Sequence, residues 1–70
     1  MNYIEILENA KWKSTVRNNH AYIEAVYNGL EVSIRDDSTN LIVKRNGKVW
    51  KRIDVGGTAE YEALFPAFYA

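Results

Sequence analysis

Two Asn-Gly pairs, at residues 28–29 and 46–47, constrain the fold of this chain more than any other feature. Each pair lies between two runs that are rich in apolar and β-branched residues. Asn and Gly both tolerate the left-handed backbone that a two-residue hairpin loop requires. The sequence therefore predicts two β-hairpins, each closed by one Asn-Gly turn.

The first hairpin divides into an apolar face and a largely polar face. A two-residue turn makes three apolar cross-strand pairs: Tyr27 with Leu30, Ala25 with Val32, and Ile23 with Ile34. The opposite face carries three other pairs: Val26 with Glu31, Glu24 with Ser33, and Tyr22 with Arg35. This alternation is typical of an antiparallel pair with one buried face.

A further tight turn at Asn18-Asn19 extends the apolar face into a preceding strand. It places Val16 opposite Ala21, Ser14 opposite Ile23, Trp12 opposite Ala25, and, on the other face, Lys13 opposite Glu24. Two independent turns thus predict the same inner face, which favours a meander with that face in the core. The predicted inner face is Trp12, Val16, Ile23, Ala25, Tyr27, Leu30, Val32 and Ile34.

The second hairpin, over residues 41–45 and 48–55, leaves two registers open. A two-residue loop places Val43 and Trp50 on one face, and Ile42, Val49, Lys51, Ile53 and Val55 on the other. A three-residue loop with a bulge instead groups Leu41, Val43 and Val49, and sends Ile42 and Trp50 to the opposite face. In both registers apolar residues fall on both faces, so this hairpin either packs on both sides or exposes an apolar surface.

The ends of the chain predict short helices. Asn2 followed by Glu5 resembles a capping box, although a strand over residues 3–8 stays open as an alternative. Thr58 is a candidate cap for a second helix, which Pro66 should end or kink. The expected fold class is α+β: one domain, residues 1–70, with a curled four- to five-stranded antiparallel β-meander and short helices at the N-terminus, the C-terminus or both.

Composition and charge narrow the range of functions. Nine basic and nine acidic residues cancel, whereas dedicated nucleic-acid binders usually carry a basic excess. No cysteine is present, and no run approaches the roughly 20 apolar residues of a membrane span. The first ten residues also lack the basic start and apolar core of a signal peptide. We therefore expect a cytoplasmic protein that does not act at a membrane.

Catalytic and metal-binding patterns are weak in this chain. His20 is the one histidine and falls in a predicted turn, with no nucleophile placed beside it. Asp36 and Asp37 are adjacent, which favours a turn more than a catalytic pair. Gly56-Gly57 lacks the lysine and spacing of a phosphate-binding loop, and no ligand spacing matches a metal site. We expect no enzyme activity, no cofactor and no small-molecule substrate.

A basic stretch, KRNGKVWKR at residues 44–52, provides the candidate binding surface. If its exposed face adjoins that of the first strand, one patch collects eight positive charges. Tyr22 and Trp50 are aromatic side chains expected near it, and either could stack on an unpaired base. The candidate residues are Lys11, Lys13, Arg17, Tyr22, Lys44, Arg45, Lys48, Trp50, Lys51 and Arg52.

The sequence favours one function and leaves a second as its alternative. The first is a small non-enzymatic protein that acts through a protein partner or through self-association, because Tyr, Trp and Arg are enriched in protein interfaces. Compact, neutral chains of this size are known among phage and bacterial accessory proteins. This analogy is based on size and composition alone. The second is a nucleic-acid-binding module that uses the hairpin at residues 44–52.

Overall fold

A computed structural model describes residues 2–69 of the chain. Helix α1 (Tyr3–Asn9) precedes five strands, and helix α2 (Ala59–Glu62) and a C-terminal 3₁₀ helix (Phe65–Tyr69) follow them. The strands are β1 (Lys13–Arg17), β2 (His20–Tyr27), β3 (Leu30–Arg35), β4 (Asn40–Arg45) and β5 (Lys48–Asp54). They form one antiparallel sheet in the order β1-β2-β3-β4-β5, which confirms the predicted α+β meander.

The first three strands pair in the register that the two turns predict. Tyr27 lies opposite Leu30, Ile23 opposite Ile34, and Lys13 opposite Glu24. The turn residues adopt the required left-handed backbone, with φ values of 52° and 65° in the 18–19 turn and 50° and 79° in the 28–29 turn. The turn chemistry therefore sets the pairing of these strands.

The second hairpin combines features of both predicted registers. Its loop has two residues, Asn46 and Gly47, with φ values of 53° and 79°. Lys44 then lies opposite Val49, but Val43 lies opposite Lys51, so Trp50 is an extra residue in a β-bulge. The bulge allows Leu41 and Val43 to remain fully buried while the loop keeps its tight two-residue form.

The core lies between the inner face of the sheet and the helices. Its buried members are Ile6, Leu7, Ile23, Val32, Ile34, Leu41, Val43, Val55, Tyr61 and Phe68. Of the predicted inner face, Trp12, Ala25, Tyr27 and Leu30 are partly buried and pack against this cluster. The burial predicted for Val16 is wrong, because Val16 is 72% exposed: it lies on the edge strand β1 beside the exposed 18–19 turn.

The terminal helices are capped and tied to the sheet by polar contacts. Residues 3–9 are helical, which excludes the alternative strand, and the Asn2 side chain caps α1 by accepting from the Ile4 N–H at 2.9 Å. Glu5 does not complete a capping box but accepts a hydrogen bond from the Tyr27 hydroxyl at 2.9 Å. Thr58 caps α2 by accepting from the Tyr61 N–H at 3.2 Å.

The helices pack on one face of the sheet and leave the other face uncovered. We call the uncovered face the outer face; Lys13, Tyr22, Glu24, Ser33 and Lys44 lie on it. An antiparallel sheet can present one such face to solvent. Within residues 2–69, no helix is long and apolar enough to cross a membrane. The outer face is therefore a surface that the helices leave open for binding.

Candidate binding surface on the open sheet face

The outer face of the sheet is concave. Its main concavity, which we call the outer trough, encloses about 800 Å³. A second concavity of about 260 Å³ shares Tyr22 and Ser33 with it and adds Arg35, Ile42 and Arg52. The lining of the outer trough consists of Lys11, Lys13, Arg17, Tyr22, Glu24, Ala25, Val26, Glu31, Val32, Ser33 and Lys44.

Positive charge dominates the two concavities. They are lined by six cations (Lys11, Lys13, Arg17, Arg35, Lys44 and Arg52) and two carboxylates (Glu24 and Glu31), a net formal charge of +4. Arg17 pairs with Glu24, and Arg35 pairs with Asp37 at the rim. The other four cations make no ion pair within the described part of the chain. The surface is therefore suited to an acidic partner.

Tyr22 lies in the middle of this surface between two arginines. The Arg17 guanidinium carbon lies 5.0 Å from the centroid of the Tyr22 ring, within cation–π distance. Arg35 lies directly opposite Tyr22 on strand β3, on the other side of strand β2 from Arg17. Apolar surface is available beside them, because the Val26 side chain is 71% exposed and Ile42 is half-buried. The face thus combines aromatic, aliphatic and cationic side chains.

Four of the ten candidate residues lie elsewhere, in what we call the hairpin cluster: Arg45, Lys48, Trp50 and Lys51. Successive strand residues point to opposite faces, so Arg45 points away from the face that carries Lys44. Lys48 is opposite Arg45, and Lys51 is opposite the buried Val43. Arg45, Lys48 and Lys51 therefore lie on the other face of the hairpin from the outer trough, and the Trp50 ring lies against Arg45 and Lys51.

The single basic patch considered from the sequence is divided in two. Lys11, Lys13, Arg17, Tyr22, Lys44 and Arg52 line the concavities of the outer face. Strands β1 and β5 are the two opposite edges of the sheet, four strand spacings or roughly 19 Å apart. Lys44 is the member of the basic stretch that joins the cations of β1 in the outer trough.

A cluster of His20, Asp36 and Asp37 was missed by reasoning from sequence spacing. The His20 Nδ1 atom lies 3.6 Å from Asp36 Oδ1 and 3.8 Å from Asp37 Oδ2. Asp36 also accepts from the Ala21 N–H at 3.3 Å, and the bond from Arg35 lowers the pKa of Asp37. Because the Tyr22–Arg35 pairing brings their two turns to one end of the sheet, the register could have revealed this contact. The cluster ties those turns together.

Asp54 gives the fold a testable dependence on pH. Its carboxylate accepts hydrogen bonds of 2.9 Å from the Gly56 N–H and the Thr39 hydroxyl, and these bonds lower its pKa. A carboxyl whose pKa is depressed by folding stabilises the protein above its unfolded pKa and loses that effect as pH falls through its folded pKa. Asp54→Asn should therefore melt below the wild type at neutral pH, with the difference narrowing below about pH 4. Melting curves from neutral to acid pH test this, and a difference independent of pH would contradict it.

Comparisons with known proteins complete the description of this surface. Searches with protein-family models, curated proteins and solved structures find no match to the chain. The charges, contacts and exposure of the outer face and of the hairpin cluster are therefore the features that indicate a function.

Proposed function

We propose that this chain is a small non-enzymatic binding protein whose outer trough docks an acidic protein partner. The observation that carries the proposal is the position of Tyr22, with Arg17 over its ring and Arg35 opposite it on strand β3, on a concave sheet face that the protein's own helices leave open. Tyrosine and arginine are the side chains that most often dominate the binding energy of protein interfaces. We keep the expected cytoplasmic location as part of this proposal.

Exposed apolar surface favours a protein partner over a nucleic acid at this face. Val26 is 71% exposed and lies in the outer trough with Glu31 and Lys44. Protein partners can bury such a side chain in the centre of an interface. Contacts to nucleic acid are instead made largely to phosphate, which gains nothing from valine and is repelled by Glu31.

Charge complementarity favours an acidic partner over a second copy of this chain. The two concavities carry a net formal charge of +4, so two copies docked face to face would bring like charges together. An acidic partner would instead find Lys11, Lys13 and Lys44 free to pair.

Selection of peptides from a random displayed library on the immobilised protein tests this function. We expect the selected sequences to be rich in Asp and Glu with interspersed aliphatic or aromatic residues. Tyr22→Ala should weaken their binding at least about tenfold, as expected for a residue at the centre of an interface. Lys13→Glu combined with Lys44→Glu should weaken it further by reversing two charges in the trough.

Matched charge reversals on the other side of the hairpin provide the control. Lys48→Glu combined with Lys51→Glu changes the net charge equally but outside the outer trough, and should leave the peptide affinity nearly unchanged. If both double variants lost the same peptide affinity, net charge alone would attract the peptides, and the outer trough would not be their binding site. Selected peptides without acidic enrichment, or a concentration-dependent dimer that loses Tyr22 exposure, would reject the acidic partner.

A further inference from the structure

We infer that the hairpin cluster is a separate binding site for single-stranded nucleic acid, with Trp50 as the stacking residue. This site goes beyond the proposed protein-docking function, because its cations lie on the other face of the hairpin from the outer trough. The two sites have different chemistry: the cluster has one large aromatic ring and cations, whereas the trough has two carboxylates and aliphatic side chains in addition to its cations and Tyr22.

The geometry of the bulge makes Trp50 available. A regular register would pair Trp50 with Val43, but the bulge gives that position to Lys51. As a result Trp50 stays 41% exposed at the edge of the sheet, although tryptophan is among the most highly buried residue types on average. The neighbouring Val49 is also 45% exposed. A large ring held at an exposed edge is a surface on which an unpaired base can stack.

Two cations are already placed around this ring. The Arg45 guanidinium carbon lies 4.5 Å from the ring centroid, and the Lys51 Nζ atom lies 5.0 Å from it. Lys48, which lies opposite Arg45 beside the turn, is the third cation of the hairpin cluster. A base that stacks on Trp50 would take the place of one of these side chains over the ring, and the displaced cation could then pair with a flanking phosphate.

The hairpin also lacks the acidic residues that would oppose phosphate. No Asp or Glu occurs in the sequence between residues 41 and 53, which contains five cations. The nearest acid along the chain, Asp54, is held by Thr39 and the Gly56 N–H. The outer trough differs, because Glu24 and Glu31 line it. The hairpin cluster is thus the more favourable surface for a polyanion.

A single strand fits the cluster better than a duplex does. Stacking needs an exposed base face, which a duplex covers by pairing and internal stacking. Three cations also provide few phosphate contacts for a rigid duplex. With these three phosphates neutralised, the slope of log affinity against log salt should be about −2 on a single strand.

Fluorescence anisotropy with a labelled twelve-residue oligothymidylate, at low and physiological salt, tests this inference. We expect binding that weakens with the stated salt slope, and a matching duplex that binds at least several-fold more weakly. Trp50→Ala should reduce the affinity about tenfold or more, the effect usual for loss of one stacked base. Trp50→Phe should retain part of it, and backbone amide spectra of each variant would establish that the fold is kept.

The same two double variants test this site, and the variant in the outer trough is now the control. Lys48→Glu with Lys51→Glu should abolish oligonucleotide binding, and Lys13→Glu with Lys44→Glu should leave most of it. The inference is overturned if no binding occurs at low salt, if Trp50→Ala in a folded protein binds as the wild type does, or if the duplex binds more tightly. If only the trough variant lost oligonucleotide binding, the nucleic-acid site would lie on the outer face and the inference would be wrong.

Discussion

Trp12→Ala is expected to lower the free energy of unfolding by about 3 kcal/mol, the lower end of the range for replacing a packed tryptophan by alanine. Trp12 packs against the core cluster, and its indole N–H donates to the Leu7 carbonyl at 3.2 Å. It thereby joins helix α1 to the edge of the sheet. A domain of this size is stabilised by only about 4–10 kcal/mol, so the variant should lose a large share of its stability.

Trp50→Ala is the matched control for this prediction. It removes the same side chain from a position that is 41% exposed and outside the core cluster. We expect it to change the unfolding free energy by less than about 1 kcal/mol, as surface substitutions usually do. Urea denaturation followed by circular dichroism measures both. If the two tryptophan variants were equally stable, the anchoring role of Trp12 would be wrong.

The second large effect is expected at Leu41, which is fully buried. Leu41→Ala should cost about 2–5 kcal/mol because it leaves a cavity among well-packed neighbours. Ile42→Ala, one residue further along strand β4, removes a side chain of similar size from the outer face, where Ile42 is half-buried. We expect it to cost less than half as much. Thermal denaturation of the two variants measures this difference. If strand β4 were shifted by one residue, Ile42→Ala would be the more destabilising change, since a one-residue slip exchanges the faces.

Turn residues made the first three strands predictable from sequence. The Asn18-Asn19 and Asn28-Gly29 turns define the register independently, and both place Ile23 on the inner face. The second hairpin offered no such agreement, because Val49 and Trp50 are adjacent apolar residues and either can point inward. The bulge resolves this by burying neither of them fully. Periodicity cannot predict a bulge when both alternatives satisfy the apolar pattern.

Burial and side-chain grouping depend on more than periodicity. The position of Val16 on the inner side follows from the pairing with Ala21, but its exposure depends on how far the helices extend across the sheet. The candidate cations are close in sequence, yet Lys44 and Arg45 point to opposite faces of one strand. The contact of His20 with Asp36 joins residues from separate turns. None of these three features can be predicted without the three-dimensional path of the chain.

The strand order also has a consequence for how the chain folds. Every strand pairs only with strands that are adjacent in sequence, so each hairpin can form before distant parts of the chain meet. Contacts between the two ends of the chain are the exception, because helix α1 packs against helix α2 and the C-terminal 3₁₀ helix packs against β1 and β2 across a long loop. Closing that long loop carries the largest entropic cost, so the docking of the two helices should come last. The same contact should be the first to open in the native state, and amide hydrogen exchange would then be faster in α1 than in β2 and β3.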